Sequence, residues 1–136
     1  MNFDGTILLV DDEAHIRKYV GLILKMIGAP TILEAANGQE ALEIYERETP
    51  DLVLLDISMP IMDGLETLRR LRALDPDSLV VMLTSMSNRQ NIEEALTHGA
   101  ANYIRKDTPK DEIARALRET IESNFALDDN PEAPAP

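Results

Sequence analysis

The chain has 136 residues, enough for one domain with a full core and too few for two ordinary ones. Its formal charge of −12 argues against nucleic acid or an anionic membrane as a direct partner, because phosphate contacts need clustered Lys and Arg. The absence of cysteine rules out a disulfide framework and a thiolate metal site, and no apolar run approaches the roughly 20 residues of a membrane span. No basic-then-apolar signal segment opens the chain, so the expected location is the cytoplasm, with no membrane insertion.

Thr6-Ile7-Leu8-Leu9-Val10 is a short apolar run ending in Asp11-Asp12-Glu13, as expected of a strand buried on both faces. Ile16, Val20, Ile23, Leu24 and Ile27 then recur at helical spacing, with Gly28 placed to end the helix and Pro30 to prevent its continuation. Thr31–Ala35 is half apolar, as an edge strand would be. Asn37-Gly38-Gln39-Glu40 reads as a capping box for a helix carrying Ala41, Leu42 and Tyr45 on one side.

The stretch from Asp51 to Asp56 encloses four consecutive apolar residues between two acids and predicts a second doubly buried strand. Met59-Pro60 breaks it, and Asp63-Gly64 turns the chain into a helix striped by Leu65, Leu68 and Leu71. After the Asp75-Pro76-Asp77 turn, Leu79–Leu83 predicts another buried strand, ending in Thr84-Ser85. The next helix, about 88–98, has only Ile92, Ala95 and Leu96 as a core stripe and is expected to be the least firmly held. Asn102–Arg105 is a brief fifth strand before Lys106. Thr108 is then expected as an N-cap and Pro109 as the first residue of a last helix carrying Ile113, Leu117 and Ile121. Residues 1–127 thus form one domain, and 128–136 an acidic, Pro/Ala-rich tail expected to be disordered.

Five strands alternating with five helices predict an α/β fold: a (βα)5 doubly wound parallel sheet with helices on both faces. The chemically distinctive residues all sit at strand ends. Asp11 and Asp12 follow the first strand, Asp56 the third, Thr84 and Ser85 the fourth, and Lys106 the fifth. Parallel strands gather these groups on one edge, where open α/β sheets bind ligands. Three carboxylates together repel one another unless a cation neutralises them, and oxygen donors without Cys or a His pair suit Mg²⁺. A lone lysine beside a hydroxyl offers a phosphoryl group a positive charge and a donor. An aspartate can itself be the nucleophile, forming an acyl phosphate. Singly, Asp11-Asp12-Glu13 also reads as a helix cap, Asp56 as a turn residue, and Lys106 as a surface charge. His15 and His98 are isolated and read as exposed helical residues. Only together do the strand-end residues point to one chemistry.

As a set, these residues make the chain resemble the receiver domain of two-component response regulators, close to the single-domain chemotaxis type, over about residues 5–125. The resemblance implies the flavodoxin-like strand order 2-1-3-4-5. It implies that Asp11 and Asp12 hold Mg²⁺ together with Asp56 and the Ser58 backbone carbonyl. Asp56 matches the phosphoacceptor, Thr84 and Lys106 the groups that contact the phosphoryl oxygens, and Tyr103 the aromatic switch. A histidine kinase or histidine phosphotransfer protein is the implied donor, and the protein an implied monomer or weak dimer. Phosphorylation is expected to shift the surface of the last two helices and fifth strand, where Glu94, His98, Arg105 and Lys110 are candidate contacts for an unidentified protein target. One departure stands out: Asp107 occupies the place where the family usually has proline after the lysine.

The expected role is therefore a stand-alone phosphoacceptor switch rather than an enzyme, with slow self-dephosphorylation at most. A phosphoryl shuttle or sink, or a fragment of a larger regulator, are the alternatives within that reading. An aspartate-nucleophile phosphohydrolase would want a second acid two residues after the nucleophile, where this chain has Ser58. A flavin module would want a Ser/Thr/Gly-rich phosphate loop where Asp11-Asp12-Glu13 stands.

Overall fold

Strands and helices alternate throughout the computed structural model, which describes residues 2–86 and 88–125. In chain order they are β1 (Thr6–Val10), α1 (Ala14–Leu24), β2 (Thr31–Ala35), α2 (Gly38–Glu48), β3 (Leu52–Leu55), α3 (Gly64–Leu74), β4 (Val80–Thr84), α4 (Arg89–Thr97), β5 (Asn102–Arg105) and α5 (Lys110–Asn124). Every strand pairing is parallel, and the order across the sheet is β2-β1-β3-β4-β5.

The three central strands are apolar at every residue but Thr6, which opens β1, and Thr84, which closes β4, because each serves two cores. Ile7 and Leu9 of β1, Leu52 and Leu54 of β3, and Val81 and Leu83 of β4 pack against α1 and α5. The alternate residues Leu8, Val10, Val53, Leu55, Val80 and Met82 point to the opposite core beneath α2, α3 and α4. Side chains alternate across a strand, so continuous apolar runs are the signature of a sheet covered on both faces. The predicted tail lies outside the described residues.

The elements depart from the sequence expectations in several places. Strand β4 runs Val80–Thr84 rather than Leu79–Leu83, so Thr84 closes the strand instead of following it. Asp51 and Asp56 flank β3 rather than belonging to it; the Asp51 carboxylate accepts from the Thr6 N–H at 2.8 Å. Helix α1 ends at Leu24, short of Gly28. Gly28 instead has φ +152 and lets the N-terminal segment come close, since a Cβ there would lie 2.1 Å from the Phe3 carbonyl oxygen. Pro109 is the cap of α5 rather than its first residue, and its carbonyl accepts from the Glu112 and Ile113 N–H groups. The Thr108 side chain therefore makes no cap; the Thr108 N–H closes a turn onto the Arg105 carbonyl. Finally, Leu96 is 50% exposed rather than core, and Ala95 is the one buried residue of α4. A single methyl group anchors that helix where α3 and α5 bury five residues each.

Helix α2 opens with the N-cap half of the predicted capping box, while the reciprocal bond falls one residue earlier, on Ala36 rather than on the cap residue Asn37. The Asn37 side chain accepts from the Glu40 N–H at 2.9 Å, and the Glu40 carboxylate reaches back to the Ala36 N–H at 2.7 Å.

Candidate functional site

Strand register assembles the site. Val10 of β1 lies opposite Leu55 of β3, so the next residues, Asp11 and Asp56, emerge side by side. The Asp56 N–H donates to the Val10 carbonyl at 3.0 Å, and the Asp11 N–H to the Ala35 carbonyl at 3.1 Å. On the other side Thr84 of β4 pairs with Arg105 of β5, and the Lys106 N–H donates to the Thr84 carbonyl at 2.9 Å. The backbone thus delivers an acid pair and a lysine to one edge before any side chain is considered.

The side chains then converge. Lys106 Nζ donates to Asp56 Oδ2 at 3.0 Å and lies 2.5 Å from Asp11 Oδ2. Each carboxylate is held through its other oxygen as well: Asp56 Oδ1 accepts from the Ile57 N–H at 2.8 Å, and Asp11 Oδ1 from the Glu13 N–H at 2.9 Å. Asp11 and Asp56 are buried while Asp12 is exposed, and the three offer carboxylate oxygens that all lie within 4.8 Å of one another. Burial works against the Lys106 charge, but the hydrogen bonds and charges of Asp11 and Asp56 outweigh it and raise its pKa above the usual lysine value. Three carboxylates facing one ammonium leave an excess of negative charge, and an all-oxygen donor set of that kind fits a hard divalent cation.

Thr84 is fully buried, and its Oγ1 accepts from the Met86 N–H at 3.2 Å. Tyr103, on β5, is half-buried and its hydroxyl donates to the Met86 carbonyl. Burial and the Asp56 charge raise the pKa of that hydroxyl. Thr84 and Tyr103 therefore grip the two polar groups of one residue in the segment leading to α4.

Ser58 is exposed in the loop after β3. That loop returns on itself: the Gly64 N–H donates to the Ile57 carbonyl at 2.8 Å, and Asp63 caps α3 by accepting from the Glu66 N–H at 2.9 Å. Gly64 is read from sequence only as a turn residue, yet a Cβ there would lie 1.9 Å from the Asp56 carbonyl oxygen. Asp107, in the place of the expected proline, makes a two-point pair with Arg105, at 3.1 and 2.7 Å.

The candidate surface residues scatter. Glu94 pairs across to Arg69 of α3 at 3.5 Å, and Arg105 is engaged by Asp107. His98, expected as an exposed helical residue, is instead half-buried and caps the C-terminus of α4. Lys110 faces α1, lining a groove with Tyr19, Leu22 and Met26. Periodicity also gives no hint of Arg17, which reaches from α1 to the Asp11 carbonyl at 2.7 Å.

A doubly wound parallel sheet with an acidic, lysine-bridged pocket on its carboxyl edge places the chain among the open α/β domains that bind ligands outside the carboxyl ends of their strands. Residues 7–118 match the response regulator receiver domain, and the chain belongs to that family. It is 35% identical over 115 residues to the chemotaxis protein CheY of Bacillus subtilis, covering 85% of this chain and 96% of that protein. It is also 35% identical over 124 residues to the nitrate/nitrite response regulator protein NarL of Escherichia coli, covering 90% of this chain and 57% of NarL. Among solved structures it resembles a chain of the CheX–CheY–BeF3–Mg²⁺ complex from Borrelia burgdorferi. The TM-score is 0.81 at 29% identity, with 85% of this chain and 88% of that chain covered.

Proposed function

We infer that this receiver domain is a phosphoacceptor switch in which Asp56 takes a phosphoryl group from a phosphohistidine on a histidine kinase or phosphotransfer protein. The observation that carries the reading is Lys106 spanning Asp11 and Asp56 in a pocket where three carboxylates converge. In the transfer, an Asp56 carboxylate oxygen attacks phosphorus, the phosphorus–nitrogen bond of the donor breaks, and the imidazole keeps that electron pair and leaves. Asp11, Asp12, Asp56 and the Ser58 carbonyl are the groups that would hold Mg²⁺, which supplies positive charge to the phosphoryl oxygens. Lys106 offsets the remaining charge from the β5 side.

The Thr84 hydroxyl donates to a phosphoryl oxygen once one is present. Its Oγ1 bonds the Met86 N–H, and the Met86 carbonyl bonds Tyr103, so a shift of Thr84 acts on both. The output is a changed population of the β4–α4 segment and of α4, the helix with the fewest buried residues. That surface would bind a protein target. Ser58 in place of a second acid supports an acyl phosphate that is held rather than rapidly turned over.

Intact-mass spectrometry after incubation with Mg²⁺ and acetyl phosphate tests the reading. One phosphoryl increment, lost without Mg²⁺ and in Asp56→Asn, is expected. No increment from acetyl phosphate or from a phosphorylated histidine kinase would overturn it.

A further inference from the structure

We propose that Arg17, backed by Glu34, is a positioning residue for the acidic pocket: it fixes the peptide group between Asp11 and Asp12 and so sets where both carboxylates stand. The inference rests on the cation-binding role given above to those acids, and it concerns residues of α1 and β2 that lie outside the set of binding groups.

The Arg17 side chain is only 17% exposed, low for an arginine, and its guanidinium is used at two points. Nη1 donates to the Asp11 carbonyl at 2.7 Å, and Nε donates to Glu34 Oε1 at 2.7 Å. A planar fork bonded at two points has its direction fixed, which a lysine ammonium cannot reproduce. Glu34 is itself placed by the sheet, in register with Leu9 two residues before Asp11.

Asp11 is consequently held at every polar group. Its N–H bonds Ala35, its two carboxylate oxygens bond Glu13 and Lys106, and its carbonyl bonds Arg17. Asp12 differs, because its carboxylate is exposed and accepts no hydrogen bond from the described residues. What keeps the Asp12 carboxylate within reach of Asp11 and Asp56 is the backbone before it, and the Asp11 carbonyl is where Arg17 grips that backbone. Glu34 also neutralises the guanidinium, so that the arginine does not present an unbalanced positive charge beside a cation site.

The sign of the Arg17 effect separates positioning from simple charge. Were Arg17 merely a nearby positive charge, removing it would tighten cation binding. As a positioning residue, its removal weakens binding, and Arg17→Lys, which keeps the charge but loses the fork, weakens it too. Groups that orient metal-binding residues change affinity by about 10- to 100-fold when removed.

The test is the Mg²⁺ dissociation constant of the full chain by isothermal titration calorimetry, for wild type, Arg17→Ala, Arg17→Lys and Glu34→Gln, with thermal unfolding of each in EDTA. Weakening of about tenfold or more in both Arg17 variants is expected, with a smaller loss for Glu34→Gln. A purely structural role would lower the melting temperature in EDTA and leave the dissociation constant of the folded protein unchanged; that result, or tighter binding, overturns the proposal. Should Arg17→Ala not fold, Arg17→Lys decides alone, and wild-type affinity in it overturns the proposal. Absence of Mg²⁺ binding by the wild type would overturn the cation-site reading itself, a distinguishable failure.

Discussion

The Tyr103 hydroxyl donates to the Met86 carbonyl at 2.5 Å, tying the fifth strand to the segment that leads from Thr84 into α4. Because the Met86 N–H donates to Thr84 Oγ1, one residue joins the proposed phosphoryl contact to the proposed switch. Tyr103→Phe keeps the ring and removes the bond. A neutral hydrogen bond contributes about 1 kcal/mol net, so amide exchange at Met86 should rise about fivefold. Phosphoryl uptake at Asp56 should persist. Hydrogen exchange read by mass spectrometry or NMR checks this; unchanged exchange at Met86 would show that the two residues are not energetically linked.

Asp12 stands near Asp11 and Asp56 without an ammonium of its own. In the absence of divalent cations its charge repels the other two, and Asp12→Ala should raise unfolding stability by about 1 kcal/mol, a Coulomb estimate for a water-exposed charge roughly 4 Å from another. With Mg²⁺ the order should reverse, because the wild type gains stability by binding while the variant does not. Urea unfolding with EDTA and with Mg²⁺ measures both. A variant less stable than wild type in EDTA would refute the repulsion argument.

Legibility in the sequence followed from how many constraints each residue answers to. Ile7–Val10, Leu52–Leu55 and Val80–Leu83 are apolar at every position because two cores claim alternate side chains. The acids just past the first two runs and the lysine just past the parallel strand β5 could only emerge on one edge, so Asp11, Asp56 and Lys106 were readable as a group. Arg17 was not, since a charged residue on a helix looks solvated until the fold shows it turned back toward the Asp11 carbonyl. Gly28 resembled a helix terminator because local pattern cannot reveal that the Phe3 backbone lies against it. Leu96 looked like core because its spacing from Ile92 is helical, yet only Ala95 of α4 faces the sheet closely enough to be buried. Ile61 is a further case: a β-branched residue at φ +72 and 79% exposed, a backbone conformation its side-chain chemistry does not announce.

The pH dependence of stability should be steepest on the alkaline side. The pKa of Lys106 is raised above 10.5, and those of Tyr45 and Tyr103 above 10.0. For Tyr45 the cause is first burial, then its hydrogen bond to Asp75, whose carboxylate it reaches at 2.7 Å. In each case the folded state retains a proton that the unfolded chain has begun to lose. Their contribution is therefore whole below about pH 10 and disappears as pH rises through the folded-state values. The same bond lowers the pKa of Asp75 below 3.8, so its contribution is present above that value and is lost as pH falls through the folded-state pKa. Tyr45→Phe should flatten both limbs of a stability–pH curve measured by urea unfolding. A curve of unchanged shape would mean that the Tyr45–Asp75 bond does not govern either limb.

Gly64 should prove as demanding as any residue that carries a reactive group. A Cβ at this position would lie 1.9 Å from the Asp56 carbonyl oxygen and 2.7 Å from the Ile57 Cα, both backbone atoms that cannot swing aside. Gly64→Ala must therefore push the start of α3 away from the loop after β3, stretching the 2.8 Å bond from the Gly64 N–H to the Ile57 carbonyl. Overpacking of this kind costs about 1–3 kcal/mol, which urea unfolding would register. The displaced backbone is that of Asp56 itself, so the initial rate of phosphoryl uptake from acetyl phosphate should also fall, by about tenfold for a free-energy loss near 1.4 kcal/mol in the transition state. Asp63→Ala supplies the comparison. It removes the cap that accepts from the Glu66 N–H and should cost about 1 kcal/mol of stability without moving Asp56. Equal losses of uptake rate in the two variants would assign the effect to a loosened α3; a loss confined to Gly64→Ala would assign it to the position of Asp56.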